Sequence, residues 1–328
     1  MIYSVHTFEL TLNPATNKFN KLKNRAYEKS KGKYRVFSDE NKYIDTALSD
    51  KGIKIEYHDN RYKKKVKLIV NPTRVLGGDD VLKLWKPNQD NISKLLHRLE
   101  KQIEGYFNSK YTLDDFRLTR IDFTINLDVG SRENVASYIK VLHKLGKVKG
   151  FGYKYDDNDE RIDKNLSYDL EGNSNGVEFT AYDKEAASGR TEAKGILRVE
   201  ARLTKQKAIS ACTNESIASK QIQSLALNSK DIFLTTFVRI VPYGDYYKKK
   251  DAVKIIKDKI STKKQKEKML KLLTLIPQKK SLCLAQKEMK DRNMDKVMKQ
   301  FAEINLSPVT ISKQQKVKHL KNLYAFFV

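Results

Sequence analysis

Residues 176–203 read GVEFTAYDKEAASGRTEAKGILRVEARL and hold the densest set of groups in this chain able to break and remake a phosphodiester bond. Two alternating segments parted by a loop carry Glu178, Tyr182 and Lys184 on the first, and Arg198, Glu200 and Arg202 on the second. Successive side chains of a strand point to opposite faces. Glu178, Thr180, Tyr182 and Lys184 are therefore expected on one face, as are Arg198, Glu200 and Arg202. Phe179, Ala181, Leu197, Val199, Ala201 and Leu203 are left to pack the other. A tyrosine phenolate can attack a DNA phosphodiester, keep the 5′ phosphate as a covalent ester and release a 3′ hydroxyl. That ester conserves the energy of the broken bond, so strands can be rejoined. Free phenol titrates near 10, and Lys184 is the candidate to stabilise phenolate or phosphate charge. The competing reading makes Tyr182 one of seventeen tyrosines, half-buried on a strand as tyrosines often are.

Any metal ligands must come from oxygens. Glu178 and Glu200 lie on neighbouring segments and Asp122 on a strand that can adjoin them, a set suited to Mg2+ or Mn2+. Against this, Glu200 can pair with Arg198, Arg202 or Arg120 in a surface ion network. The five histidines stand singly, with no His-x-His pair, which disfavours a metal held by paired histidines. Asn71–Gly78 (NPTRVLGG) ends a strand in a glycine loop where Arg74 and backbone amides can meet phosphate, though no Walker sequence follows. Arg61–Lys65 (RYKKK) reads as a hairpin tip whose Lys63, Lys64 and Lys65 track a nucleic-acid backbone, or as a solvated turn.

These residues need a sheet to hold them. Strand-like alternation covers Ser4–Leu12, Gly52–His58, Val66–Asn71, Phe116–Leu127, Val177–Tyr182 and Ile196–Thr204. Helical spacing covers Asn91–Phe107, Arg132–Leu145 and about Glu215–Leu227. Asn91 or Ser93 is the expected cap of the first helix and Ser131 of the second, which stops near Gly146. Without a regular βαβ alternation, the pattern predicts an α+β fold with a largely antiparallel, curved sheet. Thr7–Asn13 aligns with Arg120–Asn126, placing an acid, a threonine and an asparagine in register. An internal duplication is one reading of this; chance similarity of two amphipathic strands is the other. The expected organisation is residues 1–110 and 111–242 as the two halves of the core, with the catalytic groups in the second. A basic helical DNA-binding domain spans 243–328, with Pro277 and Pro308 as breaks between its helices and Lys249 and Lys250 offered to phosphate.

The chain has 328 residues, 65 basic against 40 acidic side chains, a net charge of +25 and a mean hydropathy of -0.64. Such charge calls for a polyanion, nucleic acid first, though ribosomal, membrane-surface or heparin-like partners also suit it. Two separated cysteines exclude a cysteine zinc site or disulfide framework and fit a reducing cytoplasm. No apolar run is long enough for a transmembrane span.

The succession LTRIDFTINL, VEFTAYDKE and ILRVEARL resembles the replication initiators of rolling-circle plasmids of the staphylococcal type and their relaxase relatives in conjugative elements. NPTRVLGG is similar to a segment of the filamentous-phage gene II type of nicking proteins. The resemblance spans about residues 66–204, through motifs that are each short. It implies a metal-dependent, site-specific endonuclease and strand transferase that starts rolling-circle replication. Tyr182 would then be the nucleophile and Lys184 its cationic neighbour. Asp122 and Glu200 would be the acids, and Arg120 and Arg198 phosphate or structural partners; Glu178 joins the metal set from strand geometry. The partners implied are single- and double-stranded DNA at an origin and a host helicase. No second tyrosine adjoins Tyr182, which departs from initiators that use a pair. A non-catalytic DNA-binding regulator on the same scaffold and an RNA-binding protein are the rivals.

Overall fold

The computed structural model describes residues 1–29, 35–37, 41–61, 63–78, 82–155 and 165–327. The first half runs β1 (Ser4–Leu12), α1 (Thr16–Lys29), β2 (Arg35–Phe37), β3 (Lys42–Asp45), β4 (Ile53–Asn60), β5 (Lys63–Val70), the single turn α2 (Pro72–Val75) and α3 (Gln89–Phe107). The second runs β6 (Arg117–Asp128), α4 (Arg132–His143), β7 (Phe151–Tyr153), β8 (Ser167–Gly172), β9 (Val177–Asp183), α5 (Lys184–Ser188), β10 (Ile196–Leu203), α6 (Gln206–Ser210), α7 (Ala218–Leu227) and α8 (Ser229–Ile240). Among the described residues ten strands join in one antiparallel sheet, in the order β2-β3-β4-β5-β1-β6-β10-β9-β8-β7. The α+β class and the large antiparallel sheet agree with the pattern read from the sequence.

Strand order is the same in both halves. Each sends its first strand to the middle of the sheet, follows it with a helix, and returns its last strand to lie beside the first. The halves meet at the β1–β6 pair, where Phe8 faces Ile121 and the flanking pairs are Thr7 with Asp122 and Glu9 with Arg120. A two-fold through Phe8 and Ile121 exchanges those flanking pairs, and it superposes the same residues that the sequence alignment matches. Carried outward, it places Lys67 where the second half has Glu200, Lys54 where it has Glu178, and His58 where it has Tyr182.

Period-two alternation gives the sheet an apolar face packed under helices and a polar face, the open face, on the side away from the core, whose central residues are themselves shielded. Phe8, Leu10, Leu68, Ile121, Phe123, Val199 and Ala201 are all at most 1% exposed. Helices α1, α4, α7 and α8 lie against the sheet, while α3 packs on α2 and α7. Covering such side chains supplies about 1.5–3 kcal/mol each, which fixes which face packs against the helices. Ser131 caps α4 by accepting the Asn134 N–H at 3.1 Å. Asn88, and not Asn91 or Ser93, caps α3, because the helix starts two residues earlier than the apolar spacing shows.

The remaining chain forms β11 (Tyr246–Tyr247), α9 (Lys249–Lys259), α10 (Lys263–Lys279), α11 (Leu282–Met289), α12 (Met294–Glu303) and β12 (His319–Leu320), which pairs with β11. Pro277 does not break the chain as its residue type suggests. It sits in the last turn of α10, and Lys280 ends the helix in the left-handed region at φ 53°. The segment bonds to the core through Leu282 N–H to the Lys144 carbonyl (2.8 Å) and Tyr138 Oη to the Lys321 carbonyl (2.7 Å). No helix of the described residues is long and apolar enough to cross a membrane.

Candidate active site

Register places the chemistry-bearing residues in rows across the open face. One row runs Tyr182, Arg198, Asn126; the next Thr180, Glu200, Thr124, Ser4; the next Glu178, Arg202, Asp122, Thr7. Tyr182, Glu200, Asp122, Glu178 and Arg202 are thus brought together by β6, β9 and β10, as the alternation predicts. Tyr182 donates its hydroxyl to Glu200 Oε1 at 2.8 Å. Burial, and then the Glu200 charge, push the phenol above its ordinary range.

Arg202 is the centre of the acidic group. Its guanidinium donates to Glu200 Oε2 through Nη2 (2.7 Å) and Nε (3.0 Å), and lies 3.8 Å from Asp122 and 3.9 Å from Glu178. Asp122 accepts a two-pronged contact from Arg120 at 2.8 and 2.6 Å. Glu178 accepts from Lys154 at 2.7 Å. Glu200 and Asp122 are each 1% exposed, yet they titrate in opposite directions. Arg202 first, with His6 and the Tyr182 hydroxyl, overcomes burial and holds Glu200 at about 2. Burial and the nearby Glu200 charge outweigh Arg120 and Arg202 at Asp122, which is pushed up to about 6.

The oxygens are hard donors of the kind Mg2+ or Mn2+ takes. A guanidinium, however, holds the position between the three carboxylates that such an ion would need. No three His, Cys, Asp or Glu side chains among the described residues are grouped as a metal ligand set. In this arrangement the residues do not fit a divalent ion.

Lys184 departs from the expected geometry. The strand ends at Asp183, whose carboxylate caps α5 by accepting the Glu185 and Ala186 N–H groups, so Lys184 opens a helix. It is buried at 6% exposure, and burial, then Arg198, lower its ammonium to about 8. Arg198, expected to contact phosphate, is fully buried. Its Nε donates to Asn126 Oδ1 at 2.8 Å, and its Nη1 lies 3.2 Å from His6 Nε2. Asn126 in turn donates to the Leu82 carbonyl, and Ser4 to the Trp85 carbonyl, so residues 82–85 cross the open face beside Arg198.

His6 is the residue that sequence reasoning missed. A bulge between Val5 and Thr7 turns it toward Arg198 and Glu200, and no histidine spacing signals this. Buried hydroxyls of Thr124 and Thr180 flank Glu200 in register, without a hydrogen-bond partner among the described residues.

The cationic candidates separate. Lys63 and Lys65 share the open face with Arg120 and line a cavity of 1010 Å³ together with Lys67 and Arg117. Lys64 points the opposite way, to Asp59. Arg74 is exposed on α2, and Lys249 and Lys250 stand at the start of α9; none of these three lines the cavity. Tyr62, within the RYKKK run, lies outside the described residues.

No family model matches this chain, and no curated protein matches it. Among solved structures it is similar to the rolling circle replication initiator protein from Geobacillus stearothermophilus. The TM-score is 0.34 at 10% identity, over 95% of this chain and 99% of that one.

Proposed function

We propose that the chain is a DNA-nicking and strand-transfer enzyme of the rolling-circle initiator type, with Tyr182 as nucleophile. The observation that carries this reading is the 2.8 Å hydrogen bond from the Tyr182 hydroxyl to Glu200, on the polar face of the sheet in a strongly basic protein. In the step proposed, the Tyr182 Oη–phosphorus bond forms, the bond from phosphorus to the 3′ oxygen breaks, and Glu200 takes the phenolic proton. The 3′ oxygen leaves with a proton from Lys184, whose ammonium is lowered to about 8. In the resting arrangement Glu200 is a poor base, because Arg202 holds it near 2. A phosphate that draws Arg202 away removes that charge and raises the basicity of Glu200 toward Tyr182.

On the same reading the two halves are copies of one unit, of which the second kept the acids and the tyrosine. The substrate is origin DNA, single-stranded at the sheet and duplex at the basic helices from 243 onward, in the cytoplasm and with a host helicase downstream.

The test incubates the protein with the replicon that encodes it, supercoiled and as tiled single-stranded oligonucleotides, with EDTA, Mg2+ or Mn2+. A denaturing gel should show a nick and a DNA-shifted protein band that disappears in Tyr182→Phe. The EDTA lane decides the metal requirement. A second reading, a non-catalytic DNA-binding regulator, is favoured by the raised phenol and by Arg202 between the carboxylates. Salt-sensitive binding without nick or adduct in any lane would establish it and sink the first.

A further inference from the structure

The 1010 Å³ cavity lies on the open face where the halves meet, away from Tyr182. Glu178, on its wall, is four residues along β9 from Tyr182, about 13 Å at ~3.3 Å per residue. Every described residue lining it is polar or charged, and none is aromatic. A small-molecule pocket is mostly apolar, and a site that stacks bases needs aromatic rings. What remains is a ligand recognised by charge and hydrogen bonds along its length.

The balance of charge in the wall fixes the sign. Glu9 is held by Lys67 (2.8 Å) and Arg120 (3.1 Å), Glu178 by Lys154, and Glu215 stands exposed at the rim, so the cations Lys63, Lys65, Lys67, Arg117 and Arg120 outnumber the carboxylates. Lys63, Lys65 and Arg117 have no carboxylate partner among the described residues. The pseudo-two-fold relates lysines of the first half to acids of the second. Positions that carry Glu200 and Glu178 in the second half carry Lys67 and Lys54 in the first. On that face β5 presents Lys63, Lys65 and Lys67 in succession, while the acids of the first half, Glu9 and Glu56, are each held by lysines.

We infer that this cavity binds the sugar-phosphate backbone of a DNA single strand through Lys63, Lys65 and Arg117, without reading its bases. This rests on the nicking reading for the identity of the strand, since the cavity holds the same strand that Tyr182 attacks.

The test measures binding of fluorescein-labelled oligo(dT), twenty nucleotides long, across a salt series in EDTA. The variant is the triple Lys63→Ala/Lys65→Ala/Arg117→Ala, all at side chains facing solvent or the cavity. Its control, Lys94→Ala/Lys101→Ala/Lys110→Ala, removes the same charge at exposed positions on and after α3. Losing three single-strand phosphate contacts should lower the slope of log K against log salt by about 2, and affinity at 0.1 M salt by about 100-fold. The control should keep the slope of the parent protein. Parental affinity and slope in the cavity triple overturn the inference, and so does a loss confined to oligo(rU). If the cavity triple loses oligo(dT) while the parent protein forms no adduct on any DNA, the cavity assignment stands and the nicking reading falls.

Discussion

Arg202→Ala removes the cation between three carboxylates, and its consequences can be worked out before the experiment. Glu200 would lose contacts of 2.7 and 3.0 Å and keep only the Tyr182 hydroxyl as a close donor; Asp122 would keep Arg120 but lose a guanidinium at 3.8 Å. Both carboxylate side chains are 2% exposed. Removing one partner of a buried ion pair costs about 3–5 kcal/mol, because the remaining charge stays buried and unmatched. Over 328 residues, at ~2.1 cal/mol/K of unfolding entropy per residue, a 4 kcal/mol loss lowers Tm by about 6 °C. The deficit should depend on pH with a definite sign. Without Arg202 the Glu200 carboxyl rises above its unfolded value near 4.3, so the variant recovers stability as pH falls through that raised value and is weakest at neutral pH. The vacated position is also one a hard divalent ion can take. With Mn2+ at ~100 times its dissociation constant the variant should regain about 2.7 kcal/mol, near 4 °C, while the parent, whose guanidinium already fills the position, gains nothing. Thermal scans at pH 5 and 7.5, with EDTA or Mn2+, read all three effects. A Tm within 1 °C of the parent, or an equal Mn2+ shift in both proteins, would refute the reasoning.

His6 is lowered to about 4 by burial first and by Arg198, Lys184 and Arg202, with Glu200 opposing. The native state therefore binds fewer protons than the unfolded one between pH 4 and 6.5. His6 stabilises above 6.5 and loses that contribution, at most about 3 kcal/mol, as pH falls to 4. Asp122, raised to about 6, has the reverse slope, and Glu200, held low, adds to the rise; in His6→Gln the gain in urea midpoint between pH 4 and 6.5 should be smaller than in the parent protein, and an unchanged profile would count against the assignment. Ser131→Ala, which deletes the α4 cap, should cost about 1 kcal/mol in urea unfolding. Phe237→Ala empties a fully buried position on α8 and should cost about 3–5 kcal/mol, read the same way. Tyr182→Phe removes one hydrogen bond to a charged carboxylate and should cost about 1.5–3 kcal/mol, read in urea unfolding, so a lost adduct in a variant that is still folded reports on chemistry.

Much of this arrangement is legible in the alternation alone. The strand from Ser4 to Leu12 matches residue for residue, and the shared face of Glu178, Tyr182, Glu200 and Arg202 follows from period two. The alternation hides what a bulge or a cap changes. His6 turns inward because an extra residue shifts β1, and Lys184 leaves the strand because Asp183 caps a helix. Among the described side chains, helix α1 offers Phe19, Leu22 and Ala26 to the core, too thin a stripe to stand out among lysines and asparagines. Strands β2, β3 and β7 are three or four residues long and owe their form to neighbours in the sheet. Arg198 looks on paper like its neighbour Arg202. It is instead fully buried, bonded to Asn126 and 3.2 Å from His6, with residues 82–85 bonded to its neighbours Asn126 and Ser4.

The β1–β6 pairing also bears on how the chain is made. Phe8 and Ile121 stand at the middle of the sheet but 113 residues apart in sequence. As the N-terminal half leaves the ribosome, β1 can find β5, but its other edge stays open until residues 117–128 emerge. At ~5–20 residues per second that interval lasts several seconds. For that time a long, half-apolar strand edge is exposed to any other nascent copy. Two identical first halves could close it on each other in the pseudo-symmetric register meant for β6. Slow synthesis ahead of residue 117 would thus favour misassembled pairs, and crowded polysomes would be where they form.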